Sequence, residues 1–414
     1  MKARRLAYTI LNDVINDRQY ANLALKQRLQ EVDAIDQPLV TSIVYTTLQH
    51  HRFLRHLWRK HTVSKPNRRV AVLLDSACAQ LIKMDRVPDY AVLNETVELC
   101  KEIEKHSVKM VNAVLHKVIE NPFEVDQSLD PLEIYAIEKS LPTFVIKLWI
   151  NHYGEEQMRK NAEALMEPAR LCGRINTLKI DSEDVFETYG VEPGVLSPTA
   201  FYMEENLLQS DWFKEGSVWI QDEASQMVSD FVDAKPGMKV LDACSAPGTK
   251  AAGIACHMQN EGWIDAVELH EARNRLIEQK MRQLEIDIVH VKTMDARDLE
   301  TAFEQDYDRV LCDVPCSGLG VLRRKADIKL RLKPEALDEL QVLQQAILEA
   351  AQTRLKVDGL LVYSTCTLNR KENEGQIKQF LKKHDNYVLV EERTIFPDQY
   401  GTDGFYMAKL KRNA

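Results

Sequence analysis

Two cysteines and a nearby aspartate are the residues of this sequence best placed to carry chemistry. Asp313 and Cys316 lie in DVPCSGLG, directly after an apolar run, and Cys366 lies in LVYSTCTL, fifty residues further on. Pro315 keeps Val314 extended, which would aim the aspartate and the first cysteine beyond the end of a strand. Either cysteine alone is better explained as a buried structural thiol, whereas the pair beside a carboxylate predicts nucleophilic catalysis in one crevice. The residue types leave open which sulfur attacks.

A helix is predicted to begin soon after Cys366. Asn369 and Glu372 have the spacing of an N-cap residue and its capping-box partner. Cys366 would then precede a helix N-terminus, where the helix dipole stabilises a thiolate.

Acidic residues and a Pro-Gly turn indicate a nucleoside cofactor. The segment VLDACSAPGTK, residues 240–250, is typical of a strand that enters a tight turn and then a helix, where backbone approaches a ligand closely. It contains neither GxGxxG nor a Walker lysine–serine pair, which makes NAD and ATP poor candidates. Asp242, Glu268 and Asp295 fall at the ends of three successive predicted strands, a pattern that favours an adenosine-type cofactor.

The elements that must position these residues form the last of three predicted domains. Residues 216–414 alternate short apolar runs with helical segments, which predicts a mostly parallel, doubly wound α/β sheet with ligands bound beyond its carboxyl ends. Residues 1–128 have helical apolar spacing throughout and few glycines, which predicts an all-α domain. Residues 129–215 mix short helices, broken at Gly154 and Gly190, with short strands, which predicts a small α/β connector.

Charge and cysteine usage indicate the class of protein. The formal net charge is −9, yet residues 1–70 contain thirteen Lys and Arg against five Asp and Glu, and a second basic run contains Arg323, Arg324 and Lys325. Such clusters are able to meet nucleic-acid phosphates even on an acidic protein, although most are only solvated helix faces. The eight cysteines form no CxxC pair and no histidine stands near Cys312 and Cys316, so neither a metal site nor a disulfide framework is expected.

No apolar run reaches the roughly eighteen residues that would span a membrane, and the N-terminal segment reads as a helix and not as a signal peptide. We therefore predict a cytoplasmic protein. We also expect it to be a monomer.

Three motifs together resemble the RNA cytosine-5 methyltransferases that use S-adenosylmethionine. They are SAPGTK, DVPCSGLGVLRRKADIK and YSTCTLNRKENE, and VWIQDEASQ and GTDGFYMAKLKR match the entry and last strand of that catalytic domain. The segments DYAVLNETVELCK and VNAVLHKVI resemble the helical RNA-binding domain of the antitermination factor NusB. The combination is similar to the RsmB (Sun/Fmu) type of the family. It implies methylation of a cytosine in 16S ribosomal RNA, either unassembled or partly assembled, on a Rossmann-like catalytic domain.

The resemblance assigns roles that the spacing left open. It implies that Cys366 is the nucleophile, that Cys316 assists product release, that Asp313 contacts the N3 and N4 edge of the cytosine, and that Lys250 orients the base or the aspartate. The implied cofactor-binding set comprises Cys244, Ser245, Ala246, Pro247, Gly248, Thr249, Lys250, Glu268, Arg273, Asp295 and Asp313. The residues expected to meet RNA are Arg323, Arg324, Lys325, Arg4 and Arg5.

Two positions depart from the family pattern. Thr249 replaces the second glycine of the usual APGGK, so its side chain must point away from the cofactor, and Glu268 stands where aspartate is common. Three alternatives remain open: a tRNA or other RNA substrate, a DNA cytosine methyltransferase in which the Pro-Cys cysteine attacks, and a non-catalytic RNA-binding assembly factor.

Overall fold

A computed structural model describes residues 2–121, 125–203, 207–304 and 306–414. The chain divides into two compact units, one formed by Met1–Glu167 with Leu322–Leu332 and the other by Pro168–Val321 with Lys333–Ala414. The boundaries predicted from the sequence, after residues 128 and 215, differ from this division, and the three-domain scheme stays a prediction.

The first unit is helical. Its helices before residue 168 are α1 Lys2–Ile15, α2 Ala21–Arg28, α3 Gln37–Gln49, α4 His51–Arg59, α5 Arg68–Lys83, α6 Asp89–Ile103, α7 Val108–Glu120, α8 Pro131–Glu138 and α9 Thr143–Ala164. Apolar residues at helical spacing, such as Leu6, Ile10 and Leu11, are buried in a common core, as the sequence pattern predicts. Gly154 has a φ of 82° and interrupts α9, which confirms the predicted break.

The second unit begins with a small antiparallel sheet. Its elements are β1 Cys172–Ile175, α10 Ser182–Tyr189, β2 Glu192–Pro193, β3 Ala200–Tyr202, α11 Asp211–Lys214 and β4 Val218–Ile220, and the strand order is β2-β3-β1-β4. Asp181 caps α10 by accepting a hydrogen bond from the Glu183 N–H, and Gly190 ends it with a φ of 58°. The mixed α/β composition predicted for this part of the chain is confirmed.

The remaining elements build a larger sheet and the helices around it, except for α16, which belongs to the first unit. They are α12 Glu223–Val232, β5 Lys239–Asp242, α13 Thr249–His257, β6 Trp263–Glu268, α14 Glu271–Leu284, β7 Val289–Thr293, α15 Leu299–Ala302, β8 Tyr307–Asp313, α16 Ile328–Arg331, α17 Pro334–Gln352, β9 Leu355–Thr365, α18 Glu374–Lys383, β10 Tyr387–Ile395, α19 Pro397–Tyr400 and β11 Phe405–Arg412.

The large sheet has the order β10-β11-β9-β8-β5-β6-β7. The five strands from β9 to β7 pair in parallel, whereas β11 is antiparallel to both β9 and β10. The strand order reverses between β5 and β8, and in a Rossmann-like sheet of this kind the carboxyl ends at the reversal form the ligand crevice. The sequence missed β10, because its Glu391, Glu392 and Arg393 interrupt the apolar pattern of this exposed edge strand.

None of the helices in the described part of the chain is both long and apolar enough to cross a membrane.

Candidate active site

The two cysteines meet at the carboxyl ends of neighbouring parallel strands. Asp313 of β8 is in register with Ser364 of β9. Cys316 follows Asp313 by three residues, and Cys366 follows Ser364 by two. The sulfur atoms of Cys316 and Cys366 lie 3.3 Å apart, both side chains are partly exposed, and neither cysteine is in a disulfide. The prediction that both thiols reach one crevice agrees with this geometry.

Glycines let the Cys316 loop pack closely against the final strand. Gly320 donates its N–H to the Cys366 carbonyl oxygen at 3.1 Å and accepts a hydrogen bond from the Gly404 N–H at 2.8 Å. A Cβ at position 320 would lie 2.0 Å from the Gly404 carbonyl oxygen, so no other residue fits without displacing the backbone. These contacts hold the loop that carries Cys316 against the turn that carries Cys366 and against Gly404, the residue before β11.

The predicted capping box after Cys366 is wrong. Helix α18 begins at Glu374 with Asn373 as its N-cap, one turn later than expected, and residues 370–373 form turns. Glu372, fully buried, instead accepts hydrogen bonds from the Ser317 N–H at 2.9 Å and the Ser317 hydroxyl at 2.5 Å. The buried carboxylate therefore binds the loop that follows Cys316, and not a helix N-terminus.

A lysine–aspartate ion pair lies at the end of β8. The Lys250 Nζ is 2.7 Å from Asp313 Oδ2, and the Ser364 hydroxyl donates to Asp313 Oδ1 at 2.8 Å. Only 13% of the lysine side chain and 23% of the aspartate side chain are exposed, so water screens the pair weakly. The Lys250 ammonium also lies 5.5 Å from the centre of the Phe405 ring. Asp313 therefore presents a fixed carboxylate beside the two thiols.

Three pKa values depart from their ordinary range at this crevice. The hydrogen bond to Cys366, followed by burial, raises the pKa of Cys316 well above that of a free thiol. Burial is the largest single effect on Lys250 and lowers its pKa, but the charge and hydrogen bond of Asp313, together with the charges of Cys366 and Asp242, outweigh burial and raise the pKa. Burial raises the pKa of Asp242 to about 7, with a further contribution from the charge of Asp313. Cys316 and Lys250 therefore keep their protons at neutral pH.

The Pro-Gly turn between β5 and α13 forms the next part of the crevice. The Ser245 N–H donates to the Val267 carbonyl oxygen at 2.8 Å, and the Gly248 N–H donates to the Ser245 carbonyl oxygen at 2.7 Å. Gly248 has a φ of 92°, a left-handed conformation that glycine adopts without strain, and Thr249 then begins α13. The turn is thus held against the end of β6.

Glu268 is the acidic residue that best matches its predicted place. It ends β6, is 5% exposed, and accepts a hydrogen bond from the His270 N–H at 3.0 Å. Arg273 pairs with Glu268 Oε2 at 3.1 Å and donates to the Ala246 carbonyl oxygen at 3.1 Å, which joins the acid to the turn. Since half of the Arg273 side chain is exposed, it is able to swing away when hydroxyl groups compete for the carboxylate.

The other two strand-end acids occupy different environments. Asp295 follows β7 and binds its own neighbour, Arg297, by an ion pair of 2.6 Å and by accepting the Arg297 N–H at 2.9 Å. The hydrogen bond from Arg297 lowers the pKa of Asp295. Asp242 is fully buried, and neither of its carboxylate oxygens has a hydrogen-bond partner in the part of the chain that the structure describes. The carboxylate oxygens of Asp242 are therefore inside the protein and are not exposed at the surface of the crevice.

The basic residues predicted to meet RNA all belong to the helical unit. Arg4 pairs with Glu95 at 2.9 Å, and Arg5 pairs with Glu102 at 2.5 Å, so both are engaged within the helical unit. Arg323, Arg324 and Lys325 lie in the segment Leu322–Leu332, which folds with that same unit.

Sequence reasoning gave no site role to Ser364, Phe405 and Gln344, and it gave Glu372 a different role, as a helix-capping residue. Ser364 and Phe405 lie within motifs already singled out, so strand register would have found them. Gln344 lies in the middle of α17, and no local pattern marks it.

Comparisons with known proteins assign the family. A family described as 16S rRNA methyltransferase RsmB/F matches residues 230–411, and the NusB family matches residues 1–120. The crystal structure of PH0851 superimposes with a TM-score of 0.84 at 25% identity, covering 99% of this chain and 98% of that chain. A methyltransferase homolog protein from Pyrococcus horikoshii has a TM-score of 0.62 at 25% identity, covering 69% of this chain and 100% of its own.

A relative that aligns with nearly the whole chain agrees with both family matches. It is the probable ribosomal RNA small subunit methyltransferase B of Bacillus subtilis, which is 33% identical over 441 aligned residues and matches 99% of this chain and 98% of its own length. The chain therefore belongs to the ribosomal RNA small subunit methyltransferase B family.

Proposed function

We propose that the protein transfers a methyl group from S-adenosylmethionine to C5 of a cytosine in small-subunit (16S) ribosomal RNA, through a covalent bond between Cys366 and cytosine C6. The observation that carries the proposal is the 3.3 Å separation of the Cys316 and Cys366 sulfurs beside the Lys250–Asp313 ion pair. Cytosine C5 is too weak a nucleophile to attack a methyl group unaided, and addition of a thiolate to C6 places electron density on C5.

In the proposed reaction the thiolate of Cys366 forms the C6–S bond. The electron pair at C5 then forms the bond to the methyl group, while the bond between that methyl group and the donor's sulfonium breaks and leaves a neutral thioether. A general base removes the C5 proton, the C6–S bond breaks, and its electron pair returns to Cys366. Cys316, whose raised pKa keeps it a thiol, lies within reach to donate its S–H to the Cys366 sulfur. That hydrogen bond stabilises the departing thiolate, which supports a role for Cys316 in product release.

Asp313 and Lys250 are proposed to hold the cytosine. Negative charge builds on the ring as sulfur adds and needs a proton or a positive charge near N3. The Asp313 carboxylate alone would oppose that charge, so the balancing proton or charge is proposed to come from the Lys250–Asp313 pair, which is fixed in advance and needs no reorganisation. Asp313 is fixed from two sides, by Lys250 and by the Ser364 hydroxyl. Since the target base must leave its stack to enter the crevice, we expect an unpaired or loop cytosine as substrate.

The residues of the turn and of β6 fit the methyl donor. S-adenosylmethionine, when bound, supplies an electrophilic methyl group on a sulfonium. Glu268 offers a carboxylate for a ribose diol, and the turn at Ala246, Pro247 and Gly248 brings backbone close to the same place. Asp295, Cys244 and Thr249 remain proposed members of the set, of which Asp295 would have to give up Arg297 to bind an adenine amino group.

The relative's name favours ribosomal RNA over tRNA or DNA as the substrate. We propose Arg323, Arg324 and Lys325 as contacts to its backbone, a monomer as the working form, and the cytoplasm as the compartment. Arg4 and Arg5 would first have to exchange their carboxylate partners for phosphates.

The test is transfer of tritium from labelled S-adenosylmethionine to 16S ribosomal RNA, with tRNA and duplex DNA as alternative substrates, followed by bisulfite sequencing of the product. Cys366→Ala should abolish both transfer and covalent capture of RNA, whereas Cys316→Ala should accumulate a protein–RNA adduct on denaturing gels. An adduct that forms without Cys366 and is lost without Cys316 would reverse the two roles. Absence of transfer to any cytosine by the unmodified protein would reject the proposed function and favour an RNA-binding assembly factor.

A further inference from the structure

Glu372 is a buried carboxylate placed between the two thiol-bearing loops. It is fully buried, and no lysine or arginine of the described residues lies within ion-pair distance of it. Burying a charge without a cation is unfavourable unless hydrogen bonds replace the lost water. The hydrogen bonds of Glu372 must therefore stabilise its carboxylate in this buried position.

Four neutral donors surround the Glu372 carboxylate. Oε2 accepts from the Ser317 N–H and from Gln344 Nε2, both at 2.9 Å, and Oε1 accepts from the Ser317 hydroxyl at 2.5 Å and from Asn369 Nδ2 at 2.8 Å. These donors come from three different segments: the loop after β8, the middle of α17, and the turn after Cys366. One side chain thus ties together the pieces that carry Cys316 and Cys366.

The chain neighbours of both cysteines take part in the same network. The Ser317 hydroxyl lies 2.7 Å from the Thr367 hydroxyl, which also accepts the Leu319 N–H at 3.1 Å. Gln344 donates to the Pro315 carbonyl oxygen at 2.9 Å as well as to Glu372. The residues on either side of Cys316 are therefore held from α17 and from the Cys366 turn at once.

We propose that Glu372 is a positioning residue for the methyl transfer, which holds the Cys316 thiol at its working distance from Cys366. The proposal rests on the proposed function, since the distance matters only if both sulfurs act on one base. The negative charge of Glu372 also helps to keep the Cys316 proton in place, after the larger effects of Cys366 and of burial.

The test compares Glu372→Gln with Glu372→Asp and with Glu374→Gln, which removes a neighbouring carboxylate that pairs with Arg370 but is not among the hydrogen-bond partners of Ser317 or Gln344. Glu372→Gln should lower kcat by roughly 10- to 100-fold with KM for RNA within about twofold, because buried donors lose their acceptor but no RNA contact is removed. Glu372→Asp, which keeps the charge, should recover part of kcat, and Glu374→Gln should resemble the unmodified protein.

A second measurement needs no RNA and separates positioning from mere stability. Alkylation of Cys316 by iodoacetamide, followed by mass spectrometry at pH 8 on the folded protein, should be roughly 10-fold faster in Glu372→Gln than in the other variants, because its thiol ionises more readily. Unchanged kcat and unchanged alkylation in Glu372→Gln, with normal transfer by the unmodified protein, would overturn the proposal. Absence of transfer by the unmodified protein would count against the proposed function instead.

A separate observation concerns a cationic pocket on the helical unit, defined by Arg18, Arg59, Lys65 and Arg68. It encloses about 420 Å³ between the end of α1, the end of α4 and the start of α5, with Trp58 and Pro66 in its apolar wall. No carboxylate of the described residues lies within ion-pair distance of Arg18, Lys65 or Arg68. This contrasts with Arg4 and Arg5, whose charges are balanced internally.

Unbalanced cations around an apolar wall suit a phosphate with its sugar or base attached, and we infer that this pocket binds the backbone of the substrate RNA. This inference also rests on the proposed function. The test measures affinity of the full chain for a 16S ribosomal RNA fragment between 50 and 300 mM KCl, for Arg18→Ala/Lys65→Ala/Arg68→Ala and for a control of equal charge, Arg28→Ala/Lys101→Ala/Arg159→Ala.

In the pocket variant the slope of log affinity against log salt concentration should become shallower by about two to three, because each phosphate contact contributes about 0.7 to 0.9 to that slope. The control variant, whose cations are paired with Asp13, Glu98 and Glu155, should change that slope by less than about one. Equal slopes for both variants would reject the pocket as an RNA site. Failure of the unmodified protein to bind the fragment at all would count against the proposed function.

Discussion

Replacing the buried Asp242 by asparagine should stabilise the catalytic unit, and more so as the pH rises. The folded state holds the Asp242 proton up to a pKa of about 7, whereas an unfolded chain releases it near 3.8. Between these values the unfolded state binds fewer protons, so raising the pH through this window removes stability. The amide of the asparagine variant does not titrate, and the difference between the two proteins isolates this one group.

The size of the effect follows from the pKa shift. At 1.36 kcal/mol per pKa unit, the ionisable aspartate destabilises the fold by about 2 kcal/mol at pH 5 and by about 4 kcal/mol at pH 8. The stability advantage of Asp242→Asn should therefore grow by about 2 to 3 kcal/mol over that range and then level off above the folded pKa. Part of the gain at each pH is lost if the amide finds no hydrogen-bond partner, but that part does not vary with pH.

Native-state hydrogen exchange of peptides that cover β5, corrected for the intrinsic exchange rate at each pH, reports the opening free energy of this unit. The control is Asp308→Asn at the start of β8, where burial opposes but hydrogen bonds from Lys239 and Lys356 prevail and hold the pKa below its ordinary value. Its effect should be constant between pH 5 and pH 8. An advantage of Asp242→Asn that is constant or shrinks over this range would refute the reasoning.

Three further predictions concern the crevice. Lys250→Met should leave the Asp313 carboxylate without its cation, lower kcat by roughly 100-fold and slow adduct formation in single-turnover gels, whereas unchanged adduct formation would show that the ion pair does not act on the base. Gly320→Ala places a methyl group 2.0 Å from the Gly404 carbonyl oxygen, so we expect a loss of roughly 2 to 4 kcal/mol in the same exchange experiment, and an unchanged opening free energy would mean that the loop relaxes freely. Glu268→Gln should weaken S-adenosylmethionine binding by roughly 10-fold in calorimetry, because this carboxylate is proposed to accept two hydrogen bonds from the ribose diol. Asp295→Asn should weaken binding by less than about threefold, because Asp295 is proposed to accept only one hydrogen bond from the adenine amino group, and the reverse order would contradict this ranking.

Much of the fold and the chemical groups of the site were predictable from the sequence. The strands that end at Asp242, Glu268 and Asp313 were visible as short apolar runs, because strands buried on both faces are continuously apolar. The edge strand β10 was not, because an edge exposed to water tolerates charges such as Glu391 and Glu392. Periodicity reports burial, and it therefore fails where burial is partial.

The sequence by itself determined which residue types are present and at which strand ends they fall, including Cys316, Cys366 and Asp313. Only the tertiary structure decided their contacts: the 3.3 Å between the sulfurs, the pairing of Lys250 with Asp313, and the use of Glu372 to brace the Cys316 loop in place of capping a helix. Local spacing specifies what a residue does within one turn of its own chain. Distances between segments fifty or more residues apart depend on strand register and packing, which no local pattern contains.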